Sequence, residues 1–289
     1  MLCLAHMSET GEEQKYVKEA FDTNWVVPLG PNVNGFEDDL KAFVSKNSDG
    51  SELSREVVAL SAGTAAVHLG LLACGVGPGD EVCVQSFTFC ASSHPITYLG
   101  ATPVFIDSEP DSWNMDPELL EKAIIDRKEK TGKYPKAIVP VALYGMPYDC
   151  DKIMAISEKY GIPVVEDAAE GCGSRWKGQV LGTFGKFGVL SFNGNKMITT
   201  SGGGALICQD AESKNNVMWY ATQARDAYPY YQHTAIGYNY RMSNVCAGIG
   251  RGQMTVLEDH IAHHKHVQEL YKELLKDVEG VTLHEAPKC

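Results

Sequence analysis

Hydrophobic and polar positions follow two alternating patterns along most of the chain. Short runs rich in Val, Ile and Leu are separated by longer stretches in which the apolar residues recur at helical spacing. Runs that are apolar throughout are typical of strands buried on both faces. Helical stretches between such strands indicate a mostly parallel sheet covered by helices on both sides. The predicted strands are residues 57–60, 81–85, 103–107, 137–141, 161–167, 189–192 and 204–208.

The predicted helices have recognisable ends. Residues 64–74 carry apolar residues at helical spacing and are followed by two glycines that stop a helix. Asp116 and Pro117 are an N-cap and a first-turn proline, which predicts a helix beginning there. Residues 151–160 are predicted to form another helix, and residues 251–278 one long helix followed by the start of a strand at 281–284. The chain is therefore predicted to be an α/β protein.

The composition limits the classes of protein to which the chain can belong. Hydrophobic residues make up 44% of the chain and charged residues 21%, which is typical of a globular protein. Lys plus Arg number 25 against 37 Asp plus Glu, a net charge of −12. This balance argues against nucleic acid and against an anionic membrane surface as partners, because both require clustered positive charge. The chain has no apolar run of roughly 18 residues, the length that spans a membrane, and residues 1–6 do not resemble a signal peptide.

The cysteines and histidines predict no metal site. The nine cysteines are an odd number, form no C-x-x-C pair and lie mostly in apolar segments, which favours a reduced, cytoplasmic protein. His260 and His264 lie one helical turn apart and could form a surface site. However, Lys265 is adjacent, and a structural zinc site requires four ligands.

Residues that could bind a ligand or take part in catalysis lie at the ends of three predicted strands. Ligands of α/β sheets bind at the carboxyl ends of the strands. Gly63 and Thr64 lie at the start of a predicted helix. Either the free backbone N–H groups there bind an anion, or these residues are an ordinary N-cap. Asp167 ends a very apolar strand, where a carboxylate is costly unless it is paired. A protonated heteroaromatic nitrogen, a metal, an Arg or the next helix could be that partner. Lys196 lies in a polar loop between two strands and is either a nucleophile or a solvated side chain.

The combination is more specific than any of its parts. Together with Phe89, which follows the second strand, these residues match the needs of pyridoxal phosphate. That cofactor has a phosphate, a flat ring, a pyridine nitrogen to keep protonated and an aldehyde that condenses with an amine. A dinucleotide loop is excluded at residues 75–80, because this glycine-rich stretch follows a helix and precedes a strand, the reverse of the required order.

Five stretches make the chain resemble the DegT/DnrJ/EryC1/StrS family of nucleotide-sugar aminotransferases. The resemblance spans about residues 6 to 289 and is nearest to the branch that makes 4-amino-4,6-dideoxy sugars, such as the bacillosamine-type enzymes. The five stretches are SAGTAAVHLGLLACGVGPGDEV, QSFTFCASSHPITYLGATPVFID, VVEDAAEGCGS, SFNGNKMITTSGGGAL and GYNYRMSNVCAGIGRGQM.

The resemblance implies a fold and a domain organisation. The fold is that of aspartate aminotransferase, fold type I, whose large domain has a mostly parallel seven-stranded-type sheet with helices on both faces. Residues 1–250 would form the large domain that binds pyridoxal phosphate. Residues 251–289 would form a linking helix and the start of a small C-terminal domain. Family members continue well beyond this point, so most of the small domain is expected to be absent from the chain.

The resemblance also assigns roles to residues. Lys196 matches the lysine that condenses with the aldehyde of pyridoxal phosphate, and Asp167 matches the acid that pairs with the pyridine nitrogen. These two are the predicted catalytic residues, and Phe89 matches the aromatic residue stacked on the ring. The residues that match phosphate ligands are Gly63, Thr64 and Ser191.

Two further positions extend this assignment. Asn239 matches the residue that reaches the phosphate of the neighbouring subunit's cofactor, which implies a homodimer with shared active sites. Glu170 stands where the family often has Gln or His, near the cofactor's phenolic oxygen, and its role stays open.

The implied reaction moves an amino group from L-glutamate to a nucleotide-linked 4-keto-6-deoxy sugar, in the synthesis of a surface polysaccharide or glycan precursor. One alternative is a pyridoxal-phosphate-dependent sugar dehydratase of the same family, which would carry His in place of Lys196. The other is an inactive chain that only pairs with a partner subunit. The exact sugar, its nucleotide and the position aminated stay open.

Overall fold

Strands and helices follow one another through most of the chain. The structure, a computed structural model, describes residues 5–287, so Cys3, Cys289 and the outer ends of the predicted domains lie outside the described residues. The strands are β1 Glu56–Leu60, β2 Glu81–Gln85, β3 Thr102–Ile106, β4 Ala137–Val139, β5 Val165–Asp167, β6 Arg175–Trp176, β7 Gln179–Val180, β8 Phe187–Ser191 and β9 Gly204–Cys208. The α-helices are α1 Glu12–Asp22, α2 Pro31–Val44, α3 Gly63–Ala73, α4 His94–Tyr98, α5 Pro117–Thr131, α6 Cys150–Tyr160, α7 Ala211–Ala221, α8 Asn244–Met254 and α9 Leu257–Leu275.

The sheets are mixed. Strands β3, β2 and β4 form a parallel three-stranded sheet in that order. A four-stranded sheet has the order β1-β9-β8-β5, in which β5 and β8 are parallel and β9 is antiparallel to both of its neighbours. Parallel bridges from Ile138 to Val164 and from Val141 to Asp167 place β5 beside β4. The α/β class is confirmed, but β9 departs from a purely parallel arrangement, and a single seven-stranded-type sheet stays a prediction.

The strands of the two larger sheets are largely buried on both faces, as the uninterrupted apolar runs predict, except for the edge strand β3, which is partly exposed. In β1, Val57 and Ala59 enter one hydrophobic cluster, whereas Val58 and Leu60 enter the other. The first cluster also contains apolar residues of α2, α5, α6 and α8. The second contains those of α3, α4 and α7. The sheets therefore form the middle layer of three, which leaves the strand ends as the place where polar side chains meet a ligand.

Helix α5 begins as its sequence predicts. The Asp116 side chain accepts hydrogen bonds from the backbone N–H groups of Glu118 and Leu119, at 2.7 and 3.2 Å. Asp116 is therefore a true N-cap, and Pro117 occupies the first turn.

The prediction of one long helix over residues 251–278 is wrong. Helix α8 ends at Met254 and α9 begins at Leu257. Glycines hold α8 close to its neighbours: a Cβ on Gly250 would lie 2.7 Å from the Phe36 ring, and one on Gly252 would lie 2.4 Å from the backbone nitrogen of Glu13. The break after α8 lets α9 leave this packed surface, so most of α9 is not buried.

The strand predicted at residues 281–284 is also wrong. These residues form no strand in the described part of the chain, where no neighbouring strand pairs with them. Instead, the His284 ring stacks on Trp113 with centroids 4.0 Å apart. The division into domains at residue 250 stays a prediction. Over residues 5–287, no helix has the length and apolar character needed to cross a membrane.

Candidate active site

A cavity of about 570 Å³ lies where β5 and β8 end and α3 begins. This volume is in the range of small-molecule sites. The cavity brings together seven of the eight predicted site residues, because the strands that precede them end on the same side of the sheets. These residues are Gly63, Thr64, Phe89, Asp167, Glu170, Ser191 and Lys196.

Lys196 is an enclosed amine rather than a solvated loop lysine. Its side chain is 13% exposed, and its Nζ lies 3.0 Å from Oε1 of Glu170. The second carboxylate oxygen of Glu170, Oε2, accepts the backbone N–H of Tyr144 at 2.7 Å. Tyr144 has a positive φ of 54°, a conformation that is uncommon for a non-glycine residue. Glu170 is thus held from two sides, and it holds the lysine amine inside the cavity.

The loop that carries Lys196 is anchored at several points. Its base is closed by hydrogen bonds from Phe192 N to Gly203 O and from Thr200 N to Phe192 O, at 2.9 and 3.0 Å. At the tip of the loop, Ala5 N donates a hydrogen bond to Gly194 O at 2.9 Å.

A buried glutamine supports the same loop from α8. Gln253 Oε1 accepts Thr199 N at 3.2 Å, and its Nε2 donates to Glu13 in α1 at 2.8 Å. Gln253 is fully buried, so these bonds have no competing water.

Asp167 lies at the floor of the cavity and is 6% exposed. Its Oδ2 accepts a hydrogen bond from Ser92 Oγ at 2.6 Å, and its Oδ1 accepts one from Ala169 N at 3.2 Å. Burial raises the pKa of Asp167, and the hydrogen bond from Ser92 opposes that rise. The segment after Asp167 is a turn, so the carboxylate does not cap a helix there.

The preceding acid, Glu166, has a different environment. It is fully buried, and burial raises its pKa. Its carboxylate accepts three backbone N–H groups, those of Gly182, Phe184 and Gly185. Adjacent residues of a strand point to opposite faces, so only Asp167 faces the cavity.

The start of α3 forms the anion-binding side of the cavity. The helix begins at Gly63 after Ala62, and no side chain in the described part of the chain caps it, so the ordinary N-cap alternative is not what the structure shows. A Cβ on Gly63 would lie 3.0 Å from the Ser191 Cβ, so glycine allows the end of β8 to approach the helix. Uncapped N–H groups at the positive end of a helix attract a phosphate.

Phe89 and Ser92 lie in the turn after β2. Phe89 is 71% exposed and lines the cavity, which leaves its ring available for stacking. Ser92 is buried, and sequence reasoning missed it. The signal that could have found Ser92 is its place in the segment that follows β2, beside the strand ends that carry the other residues.

Asn239 is the predicted residue that the cavity does not include. It is exposed, whereas the rings of its neighbours Tyr238 and Tyr240 stack 5.0 Å apart and pack on His68. A role for Asn239 toward a neighbouring subunit stays a prediction.

The groups that line the cavity fit pyridoxal phosphate. An uncapped helix start, an exposed aromatic ring, a buried carboxylate and an enclosed amine face one cavity. Each matches one part of that cofactor: the phosphate, the ring, the pyridine nitrogen and the aldehyde. A metal does not fit in the same way, since among residues 5–287 no three His, Cys, Asp or Glu side chains converge on a possible ion.

Comparison with known proteins decides the family. The DegT/DnrJ/EryC1/StrS aminotransferase family matches residues 7–288. The chain belongs to this family. The predicted family and enzyme class, an aminotransferase, are therefore confirmed.

Individual members of the DegT/DnrJ/EryC1/StrS family support this conclusion. EpsN of Bacillus subtilis strain 168, named as a pyridoxal phosphate-dependent aminotransferase, is 47% identical over 96% of this chain and 68% of its own. A GDP-perosamine synthase of Escherichia coli O157:H7 is 36% identical over 97% of this chain and 72% of its own. The crystal structure of a family aminotransferase from Brucella abortus superposes with a TM-score of 0.88 at 31% identity, covering 96% of this chain and 72% of that one. These likenesses confirm the fold type I architecture and indicate dependence on pyridoxal phosphate.

Proposed function

We propose that the chain transfers an amino group from L-glutamate to a nucleotide-linked 4-keto-6-deoxy sugar, using pyridoxal phosphate. The observation that carries the proposal is the enclosed amine of Lys196, paired with Glu170 in a cavity whose floor is the buried carboxylate of Asp167. The relative that makes GDP-perosamine supports a nucleotide-linked sugar. Synthesis of a surface polysaccharide or glycan precursor in the cytoplasm is the corresponding proposed role.

Each cavity residue then has a defined task. Pyridoxal phosphate, when bound, supplies an aldehyde and a ring that withdraws electrons. Lys196 Nζ would hold the aldehyde carbon, then take the proton from the α-carbon of the amino donor as a general base and return it as a general acid. Asp167 would hold a proton on the pyridine nitrogen. The start of α3 and Ser191 would bind the phosphate, and Phe89 would cover the ring.

Glu170 has a task of its own in this proposal. Its Oε1 fixes the Lys196 amine, and its Oε2 is fixed by Tyr144 N. Glu170 therefore holds the Lys196 amine at one place in the cavity, where the aldehyde of the cofactor would reach it.

A half-reaction tests the proposed function without any sugar. Purified protein with pyridoxal phosphate should show a visible absorbance band. L-glutamate alone should bleach this band and release about one 2-oxoglutarate per site, because a two-stage transfer stops after its first half without an acceptor. An inactive partner chain would give no band. A sugar dehydratase that carries His in place of the lysine would have no amine to bind the aldehyde and would also give no such band. A panel of GDP-, UDP- and dTDP-linked keto sugars would then identify the acceptor, and a preference for a 3-keto sugar would contradict the proposed 4-keto substrate.

The proposed active unit is a homodimer with shared sites, which makes Asn239 a test position. Asn239→Ala should weaken retention of the cofactor and loosen the dimer together, because a hydrogen bond to a charged group contributes about 1.5–3 kcal/mol. Binding and association that share this bond are thermodynamically linked. Sedimentation velocity across a concentration series, with cofactor content measured in each fraction, checks both effects.

Mixed dimers provide the control for Asn239. A dimer of one Lys196→Ala chain and one Asn239→Ala chain should regain one site in which both residues are intact. A monomer that retains cofactor at full occupancy would contradict the shared site.

A further inference from the structure

A chain of hydroxyl groups leads from the turn after β2 to the floor of the cavity. Ser92 Oγ donates to Asp167 Oδ2 at 2.6 Å, and Thr88 Oγ1 lies 2.8 Å from Ser92 Oγ. Ser92 is 1% exposed, so water does not replace these contacts. We call Thr88, Ser92 and Asp167 the hydroxyl chain.

The direction of the hydrogen bonds in the hydroxyl chain follows from counting protons. A serine hydroxyl has one proton to donate, and an ionised carboxylate can only accept. Because the Ser92 proton is used toward Asp167, Thr88 must be the donor to Ser92. Both hydroxyl protons therefore point toward the carboxylate, and such aligned bonds strengthen one another.

This arrangement favours the ionised form of Asp167. Both of its oxygens face donors, the hydroxyl of Ser92 and the backbone N–H of Ala169. A protonated Asp167 could place its own proton only on Ser92 Oγ, and the Ser92 hydroxyl would then have to turn away from the carboxyl group and lose its present hydrogen bond to Oδ2. The hydroxyl chain thus opposes burial, which by itself raises the pKa of Asp167.

Ser92 also connects the floor of the cavity to its aromatic wall. Its backbone N–H donates to Phe89 O at 3.1 Å, within the same turn. One residue therefore fixes the backbone of the residue expected to cover the cofactor ring and the carboxylate expected to meet the ring nitrogen.

We propose, on the basis of the proposed function, that Ser92 is a positioning residue that keeps Asp167 negatively charged and aimed at the protonated ring nitrogen of the bound cofactor, with Thr88 ordering the Ser92 hydroxyl. A purely structural serine would contribute to stability in the same way at every pH. A positioning residue affects cofactor binding and the ionisation of Asp167 as well.

Binding of pyridoxamine 5′-phosphate is the first measurement. This probe has the ring nitrogen and the phosphate but no aldehyde, so its dissociation constant does not depend on condensation with Lys196. Ser92→Ala should raise that constant about ten- to hundredfold, the ratio that corresponds to loss of a hydrogen bond to a charged group. Thr88→Val should raise it less, and Ser92→Thr, which retains the hydroxyl, should restore binding.

The matched control is Ser93→Ala, the same substitution one residue further along. The Ser93 hydroxyl donates to Cys90 O at 3.2 Å and does not reach Asp167. Binding by Ser93→Ala should therefore equal that of the unaltered protein. If Ser92→Ala and Ser93→Ala bind the probe equally well, the proposal is overturned while the proposed function stands. If the unaltered protein does not bind the probe, the proposed function and this proposal fall together.

The second measurement uses the chain without added cofactor. A buried Asp whose folded-state pKa lies above its unfolded value loses stabilising free energy as pH rises through the folded pKa. Removing the Ser92 hydroxyl raises that pKa further, so the stability lost by Ser92→Ala should grow as pH rises through that pKa. In an Asp167→Asn background this pH dependence should vanish. An equal loss of stability at every pH from about 4, near the unfolded value for Asp, to about 8 in the Asp167 protein would overturn the proposal.

Discussion

Replacing Lys196 by Ala is expected to abolish amino transfer while the chain stays folded. The Lys196 amine lies in the cavity and is held by Glu170 at 3.0 Å, whereas the loop around it is anchored by backbone bonds that the substitution leaves in place. Removing the nucleophile of an enzyme lowers kcat by a factor on the order of 10⁶. Pyridoxal phosphate should still bind through its phosphate and ring, without a covalent bond to the protein.

Reduction with borohydride and peptide mapping checks the Lys196 assignment directly. The trapped cofactor should be found on Lys196 in the unaltered protein and nowhere in Lys196→Ala. Lys186→Ala is the matched control, because Lys186 is exposed, lies just before β8 and does not line the cavity. A label on Lys186 or Lys177 would contradict the assignment.

Replacing Asp167 by Asn should give the second-largest loss of activity. The amide retains the shape of the side chain but removes the charge, so nothing would hold the proton on the pyridine nitrogen. An opposite charge nearby shifts such a pKa by about 1–3 units. We expect kcat to fall at least about a hundredfold, because the loss of one electrostatic contact in a transition state typically lowers kcat by about 10² to 10³. The amount of bound cofactor should fall less.

Another strand, β3 of the parallel three-stranded sheet, provides the control for Asp167. Asp107 follows β3 just as Asp167 ends β5, but it is exposed and lies outside the cavity. Asp107→Asn should therefore leave kcat unchanged in the glutamate half-reaction. Turnover of Asp167→Asn close to that of the unaltered protein would show that Asp167 is a structural residue only.

The positions of the five-residue strands were predictable from the sequence, whereas the short strands β6 and β7 and the direction of the strands were not. β1, β2 and β9 are apolar at consecutive positions because both faces of the sheets are covered, and this pattern gives their location within a residue or two. The same pattern occurs in parallel and antiparallel strands when both faces are buried. The antiparallel direction of β9 depends on the loop that joins it to β8, which local sequence does not fix.

Helices at the start of the chain were harder to recognise. In α1 only Glu13 and Ala20 are buried, so the helix lacks an apolar stripe. Its partner is the glycine-lined surface of α8, more than two hundred residues further along, and only the folded chain shows that contact. The helical spacing of Val33, Phe36 and Leu40 in α2 was an available signal.

The candidate site was predictable where strand topology places residues and was not where a side chain acts through another. Asp167 is the last residue of one apolar strand, and Lys196 comes after another. The two residues lie close together because the carboxyl ends of these strands meet at one edge of the sheet. Ser92 resembles any turn serine until its 2.6 Å bond to Asp167 is seen. Asn239 is exposed in a single chain, and its proposed task depends on a second subunit.

The anchors of the Lys196 loop determine when in folding the site can form. Ala5 holds the tip, and Gln253 holds Thr199 while donating to Glu13, a contact that joins residues 240 positions apart. Contacts between such distant residues form slowly, because the entropy of closing the intervening chain is lost before any bond is gained. We therefore expect the sheets and their covering helices to assemble first and the lysine loop to reach its final shape last. On that folding order, a nascent chain still lacking residue 253 has no competent site, and the cofactor enters after the sheets have assembled rather than guiding their assembly.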